Sequence, residues 1–143
     1  MNAELFNGWA GWLTQHARPW LPLAHDAARE NVASLGTDPK SILNLYKALI
    51  ALRKKLPALM TGAYEPISAQ GDLLLYRRRG DDTSLTVVLN LAAEPISVTS
   101  SAIGFGKKTV LSTFMDRAGE PIEGVLELRG NEGVIIGSID QAV

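Results

Sequence analysis

The sequence predicts a mainly β protein with one helix in its N-terminal half: an antiparallel β-sandwich preceded by a long loop and a helix. Three observations predict it. From Gly62 onward, apolar residues recur with period two, the spacing of a half-buried strand. Clusters of Gly, Asp, Asn and Pro cut that region into short pieces, as close turns do. Ahead of it, one stretch carries its apolar residues at helical spacing instead.

The elements follow in order. Residues 1–36 hold all three tryptophans and both histidines with no steady period, and read as a long loop lying on something else. Residues 37–56 read as a helix. Asp38 is the expected cap and Pro39 suits the first helical position. Ile42, Leu45, Tyr46, Leu49 and Leu52 make its apolar face, widened by Leu43 and Ile50. Arg53, Lys54 and Lys55 close the last turn, where cations favour the negative end of the helix dipole, and Pro57 stops it. Strands are expected over 64–67, 73–79, 85–91, 96–99, 108–115, 124–128 and 134–139. The run Leu85-Thr86-Val87-Val88-Leu89-Asn90-Leu91 is the most apolar and is expected at the centre. The domain division is then residues 1–60, a loop plus a helix of about 38–56, and residues 61–143, the sandwich.

Composition excludes several functions. Acids number 15 and bases 14, so the basic excess of a nucleic-acid binder is missing. No cysteine is present, which removes disulfides and thiolate metal sites. The N-terminus shows no basic start followed by an apolar run, and no apolar run is long enough for a membrane span. The expectation is a cytoplasmic protein that engages neither nucleic acid nor membrane.

Few residues offer chemistry. Asp81-Asp82 and Glu120 with Glu123 are the close acid pairs, and both sit at turn signals, where solvated acids are ordinary. His16 and His25 stand nine residues apart without supporting ligands. There is no Gly-x-Ser-x-Gly elbow and no phosphate loop; Gly104-Phe105-Gly106-Lys107-Lys108 lacks the spacing and reads as a turn. Arg77-Arg78-Arg79 alternates across a strand, with Arg77 and Arg79 on one face, and reads as a solvated edge. Trp9, Trp12 and Trp20 have two readings: a platform for the C–H-rich face of a sugar, or packing residues.

An ordered series of segments carries a resemblance. Pro19-Trp20-Leu21-Pro22-Leu23, Glu30-Asn31-Val32 and the stretch from Asp38-Pro39-Lys40 to Ala51-Leu52-Arg53 come first. Pro57-Ala58-Leu59 with Gly62 and Tyr64, then Leu74-Leu75-Tyr76-Arg77-Arg78 and Val87-Val88-Leu89-Asn90-Leu91, follow. Ala10-Gly11-Trp12 is similar to the small-Gly-Phe stretch that precedes the series. Over roughly residues 9–95 the chain resembles the C-terminal end of α-amylase-superfamily enzymes of the α-glucosidase/oligo-1,6-glucosidase type. The resemblance implies that the helix is the last of a (β/α)8 barrel, with the sandwich packed against that barrel. The loop with Trp20 would run near the catalytic mouth, since functional loops follow the C-terminal ends of barrel strands.

Retaining glycosidases flank the bond with two carboxyl groups about 5 Å apart. The family carries these, and a third acid, on barrel strands four, five and seven, and the chain is expected to begin after strand eight. None of its 15 acids sits in a matching motif, so no catalytic, cofactor-binding or metal residue is expected, and no cofactor is implied. The expected function is a non-catalytic portion of a glycoside hydrolase acting on α-glucosides, bracing a catalytic barrel. The alternative is a free-standing carbohydrate-binding or oligomerising module. The implied partners are an α-glucan or oligosaccharide at Trp9, Trp12 and Trp20, and either the barrel chain of a split glycosidase or a second copy through the 42–52 helix face.

Overall fold

A computed structural model describes residues 25–27, 29–104 and 107–138. Among the described residues four helices and seven strands follow one another: α1 (Val32–Thr37), α2 (Ile42–Lys55), α3 (Pro57–Met60), β1 (Ala63–Gln70), β2 (Leu73–Arg79), β3 (Ser84–Asn90), β4 (Ile96–Thr99), α4 (Ser100–Ile103), β5 (Lys108–Ser112), β6 (Val125–Leu128) and β7 (Gly133–Gly137). The strands form two antiparallel sheets. The larger has the order β1-β2-β3-β7-β5, and the smaller pairs β4 with β6.

The sandwich between them has an apolar seam. Leu75, Val88, Val134 and Ile136 of the larger sheet meet Val98, Leu126 and Leu128 of the smaller, with Ile103 and Ile122 closing the gap. The other face of the larger sheet is covered as well: Leu85 and Val110 pack on Leu52, Leu56 and Ala58 from the helices. This double cover explains β3. A strand with one wet face alternates, whereas residues 85–88 are all buried. The expected central position of this strand is the one observed.

Two of its buried residues are polar, and both are satisfied. Thr86 Oγ1 donates to the Ile103 carbonyl. Asn90 Nδ2 donates to the carbonyls of Glu94 and Arg129, while its Oδ1 accepts from the Ala92 N–H. Asn90 thereby fastens the β3–β4 turn to the β6–β7 turn.

The start of the main helix departs from expectation. α2 begins at Ile42, and its cap is Ser41, whose Oγ accepts from Asn44 N and donates to the Leu35 carbonyl. Asp38 instead accepts from the N–H of Lys40 in the turn before the helix. Asn44 Nδ2 donates to the Asp38 and Leu35 carbonyls at 2.7 and 3.2 Å. These bonds explain why residues 32–37 form a short helix where a loop was expected: Asn31 caps it, and Ser41 and Asn44 satisfy its last carbonyls.

Strand ends shift by a few residues for local reasons. β5 stops at Ser112 instead of 115, because the chain turns there and Met115 takes φ 55°. β1 extends to Gln70 with a register shift beside Pro66; an edge strand tolerates the missing N–H. Gly62 is demanded by close approach: a Cβ would collide with the carbonyl oxygens of Ala58 and Arg79. Among the described residues no helix is long and apolar enough to cross a membrane.

Candidate functional site

The packing divides α2 lengthwise. Leu45 and Leu52 are buried, with Leu52 at 1% exposure. On an adjoining flank Ile42, Tyr46 and Ile50 are 57%, 61% and 52% exposed. Positions four apart lie above one another on a helix, so these three make a continuous apolar stripe. Burying it against a partner is favourable by about 25 cal/mol per Å². A stripe of this kind marks a contact surface when it is contiguous.

Beyond the C-terminal end of that stripe lies a shallow depression of about 310 Å³, lined by Arg53, Leu59, Met60, Tyr64, Tyr76 and Arg78. The rings of Tyr64 and Tyr76 are 5.1 Å apart and tilted by 38°. Arg78 is fixed here by donating to the carbonyls of Ala58 and Met60 at 3.3 and 3.4 Å. Among the described residues no carboxylate pairs with Arg53 or Arg78. This corrects the reading of Arg77-Arg78-Arg79 as a solvated edge. β2 is flanked by β1 and β3, Arg78 is tied to α3, and Arg77 and Arg79 share Glu65 at 3.9 and 3.5 Å.

A second cluster sits at the far end of the sandwich. The Glu132 carboxylate is fully buried. It accepts from Arg129 Nε at 3.1 Å, Arg129 Nη2 at 2.6 Å and the Arg129 N–H at 2.8 Å. Arg117 Nη1 stands 3.4 Å away. Arg129 also forks onto Asp116 at 2.7 and 2.8 Å and lies over the Phe114 ring at 4.2 Å. Arg117 reaches Glu120 at 2.6 Å; Glu120 is an exposed acid at a turn, as expected, and also an ion-pair partner.

The electrostatics follow from the contacts. Hydrogen bonding to Arg129 holds the Asp116 carboxyl down at about 2, against the opposing effect of burial. Burial pushes Glu132 up, and the bonds from Arg129 outweigh it, leaving a net depression. A general acid must hold its proton near the working pH. Asp116 and Glu132 are tuned the other way, and the cluster ties the β5–β6 connection to the β6–β7 turn.

The other candidate residues are dispersed. Trp9, Trp12, Trp20 and His16 lie outside the described residues. His25 sits in an exposed turn, and among the described residues no three potential ligands converge on a metal. Asp81 and Asp82 are exposed in the β2–β3 turn. Lys107 donates to the Ile103 carbonyl and to Thr86 Oγ1, so its ammonium closes an end of the sandwich. Burial, then the nearby Arg77, lowers its pKa.

The fold can be set beside known proteins. No protein-family model matches the chain. A probable α-glucosidase from Rhizobium meliloti (strain 1021) is 33% identical over 78 residues, which is 54% of this chain and 14% of that protein. Probable oligo-1,6-glucosidase 2 from Bacillus subtilis (strain 168) is 35% identical over 77 residues, 53% of this chain and again 14% of the relative. In solved structures, a trehalulose synthase variant crystallised with sucrose superposes with TM-score 0.74 and 29% identity, covering 92% of this chain and 24% of that one. The chain resembles a segment of α-glucosidase-type enzymes of the α-amylase family. Isomaltulose synthase from Klebsiella sp. LX3 matches the same α-glucosidase-like segment with TM-score 0.73 and 26% identity, over 85% of this chain and 22% of its own. The segment spans about a seventh of the curated relatives and under a quarter of the solved ones.

Proposed function

We propose that this chain is the non-catalytic C-terminal portion of a glycoside hydrolase acting on α-glucosides, and that it braces the catalytic barrel. In this reading residues 1–60 belong with the barrel and residues 61–143 form the C-terminal sandwich. The observation that carries it is the divided helix: one stripe of α2 packs on the sandwich, while Ile42, Tyr46 and Ile50 stand exposed beside a length match confined to a small part of each relative. The chain is read as non-catalytic by itself because none of its acids sits in a motif matching the family's catalytic carboxylates. Trp9, Trp12 and Trp20 are proposed as the sugar-facing residues on the strength of the family resemblance, and the cytoplasm as the location.

Complementation tests the bracing role. The Bacillus subtilis relative, cut before its matching segment, is co-expressed with this chain and assayed on an aryl α-glucoside. Activity is expected from the pair and from neither part alone, and Tyr46→Asp is expected to abolish it. A cut barrel equally active without this chain, or a pair that stays inactive although both parts are soluble, refutes the bracing role.

A further inference from the structure

We propose that the sandwich carries a site for a small, doubly charged oxyanion of the phosphate class, held between the Arg77 guanidinium and the Lys107 ammonium beside Thr86. The reasoning starts from an unmet bond. Arg77 Nε is shut off from solvent and makes no hydrogen bond to the protein. Among the described residues the acid beside this guanidinium is Glu65, which stands 3.9 Å from Nη1, beyond hydrogen-bond reach, and lies closer to Arg79, at 3.5 Å. Buried donors are nearly always paired, so an orphan of this kind calls for an acceptor from outside the chain.

The fold brings a second cation to the same place. Arg77 pairs with Thr86 across β2 and β3, so both side chains leave the same face of the sheet. It is the sandwich face, because Leu75 and Val88, two positions along each strand, lie in the apolar seam. Lys107 Nζ donates to Thr86 Oγ1 at 3.3 Å and to the Ile103 carbonyl at 3.0 Å. An ammonium has three donors, so one is left for a ligand. Burial, then the charge of Arg77, lowers the Lys107 pKa, so the two cations act on one another. The Arg77 side chain is 32% exposed, which leaves the site open to solvent on one side.

Charge and shape select the ligand. Arg77, Arg79 and Lys107 are three positive charges, and Glu65 offsets one of them. A dianion balances the other two, whereas a carboxylate balances half. The parallel N–H groups of a guanidinium take two oxygens of one anion. The Lys107 proton then needs a third oxygen, which a tetrahedral oxyanion has and a carboxylate lacks. The site lies on the sandwich side of the sheet, away from α2, and the inference does not depend on the barrel reading.

Titration of the whole chain with inorganic phosphate at about pH 8, where the dianion prevails, tests it, with chloride used to hold the ionic strength constant. One phosphate per chain is expected, with dissociation at about 1 mM or below. In proton–nitrogen NMR spectra the Arg77 Nε–H signal, assigned through its own side-chain carbons, should move downfield as phosphate is added. Arg77→Lys keeps the charge but loses the fork, and should weaken binding about tenfold. Lys107→Met should weaken it by about as much, and Arg53→Gln, a cation outside the site, by less than about twofold. A parallel titration with glucose 6-phosphate separates the sources: tighter binding than the free ion assigns the site to a phosphate monoester, weaker binding to the ion itself. No binding at about 20 mM phosphate overturns the proposal, as does an equal response to chloride, or affinity unchanged in both Arg77→Lys and Lys107→Met. An Arg77 Nε–H signal that stays in place throughout means that water alone meets this donor, and overturns it equally. Should either variant fail to fold in a thermal melt, that signal in the parent chain decides. Complementation of the barrel is read separately, and neither result alters the other.

Discussion

The corner around Glu132 and the outer side of α2 resolve the same problem in opposite ways. At the corner every charge has a partner: Glu132 and Asp116 share Arg129, and Arg117 joins Glu132 to Glu120. On α2 three large apolar side chains are exposed, and among the described residues no acid pairs with the nearby Arg53. The first region is closed within the chain and the second is open. The lesson concerns where stability comes from. Substitutions at the corner should register in folding, and substitutions on the outer row should register only in association.

The largest effect is expected at the corner. Arg129→Met strips Glu132 of its two guanidinium bonds and leaves a buried carboxylate with little compensation, costing about 4 kcal/mol in urea unfolding. The double variant Arg129→Met with Glu132→Met should recover most of that loss, since a buried ion pair is often replaceable by apolar packing. A single variant as stable as the parent would mean that the corner is not closed by charge. Next comes the inner stripe of α2. Leu52→Ala opens a cavity between helix and sheet and is expected to cost about 3 kcal/mol. Ser41→Ala removes the cap and its bond to Leu35, with an expected cost of about 1 kcal/mol.

Acid should act on the corner. Asp116 has its folded pKa lowered to about 2 and Glu132 is also lowered, whereas unfolded acids titrate near 4. A depressed folded value means that the stabilising contribution is complete above the unfolded pKa and is lost as pH falls through the folded one. Melting temperatures should therefore hold down to about pH 4.5 and drop steadily toward pH 2. In Arg129→Met that slope should flatten, because the bonds that depress both carboxyls are gone. An unchanged slope would place the acid-sensitive groups elsewhere.

Much of this division was legible in the residues. Period-two spacing located the strands because each buries one or both faces, and 73–79 and 96–99 match β2 and β4 end to end. The cap was misread since Asp38-Pro39 carries an ordinary start signal. Ser41 wins because its hydroxyl both donates and accepts, holding α1 and α2 together. The corner was not legible at all. Asp116, Arg117, Arg129 and Glu132 come from turns separated by up to sixteen residues, and only the fold brings them within bonding distance. The one local signal was Glu132 itself, an acid set between the Gly130-Asn131 turn and the apolar run that begins at Gly133. The open side of α2 was half legible. The apolar positions were evident, but their division into an inner and an outer stripe depends on where the sheet lies.

The smallest effect is the most telling. Tyr46→Ser, measured on the chain alone, should change unfolding free energy by less than about 0.5 kcal/mol, as exposed positions do. The tyrosine is 61% exposed, so removing its ring opens no buried cavity. Its removal should even favour solubility, because the exposed apolar stripe is cut in half. A loss near that of Leu52→Ala would show that Tyr46 is packed within the folded chain. The outer row would then be as closed as the corner, and the distinction between the two regions would fail. A neutral result in the chain alone, together with the lost complementation expected of Tyr46→Asp, separates the two roles cleanly: the inner stripe holds the helix to its own sheet, and the outer row waits for a second surface.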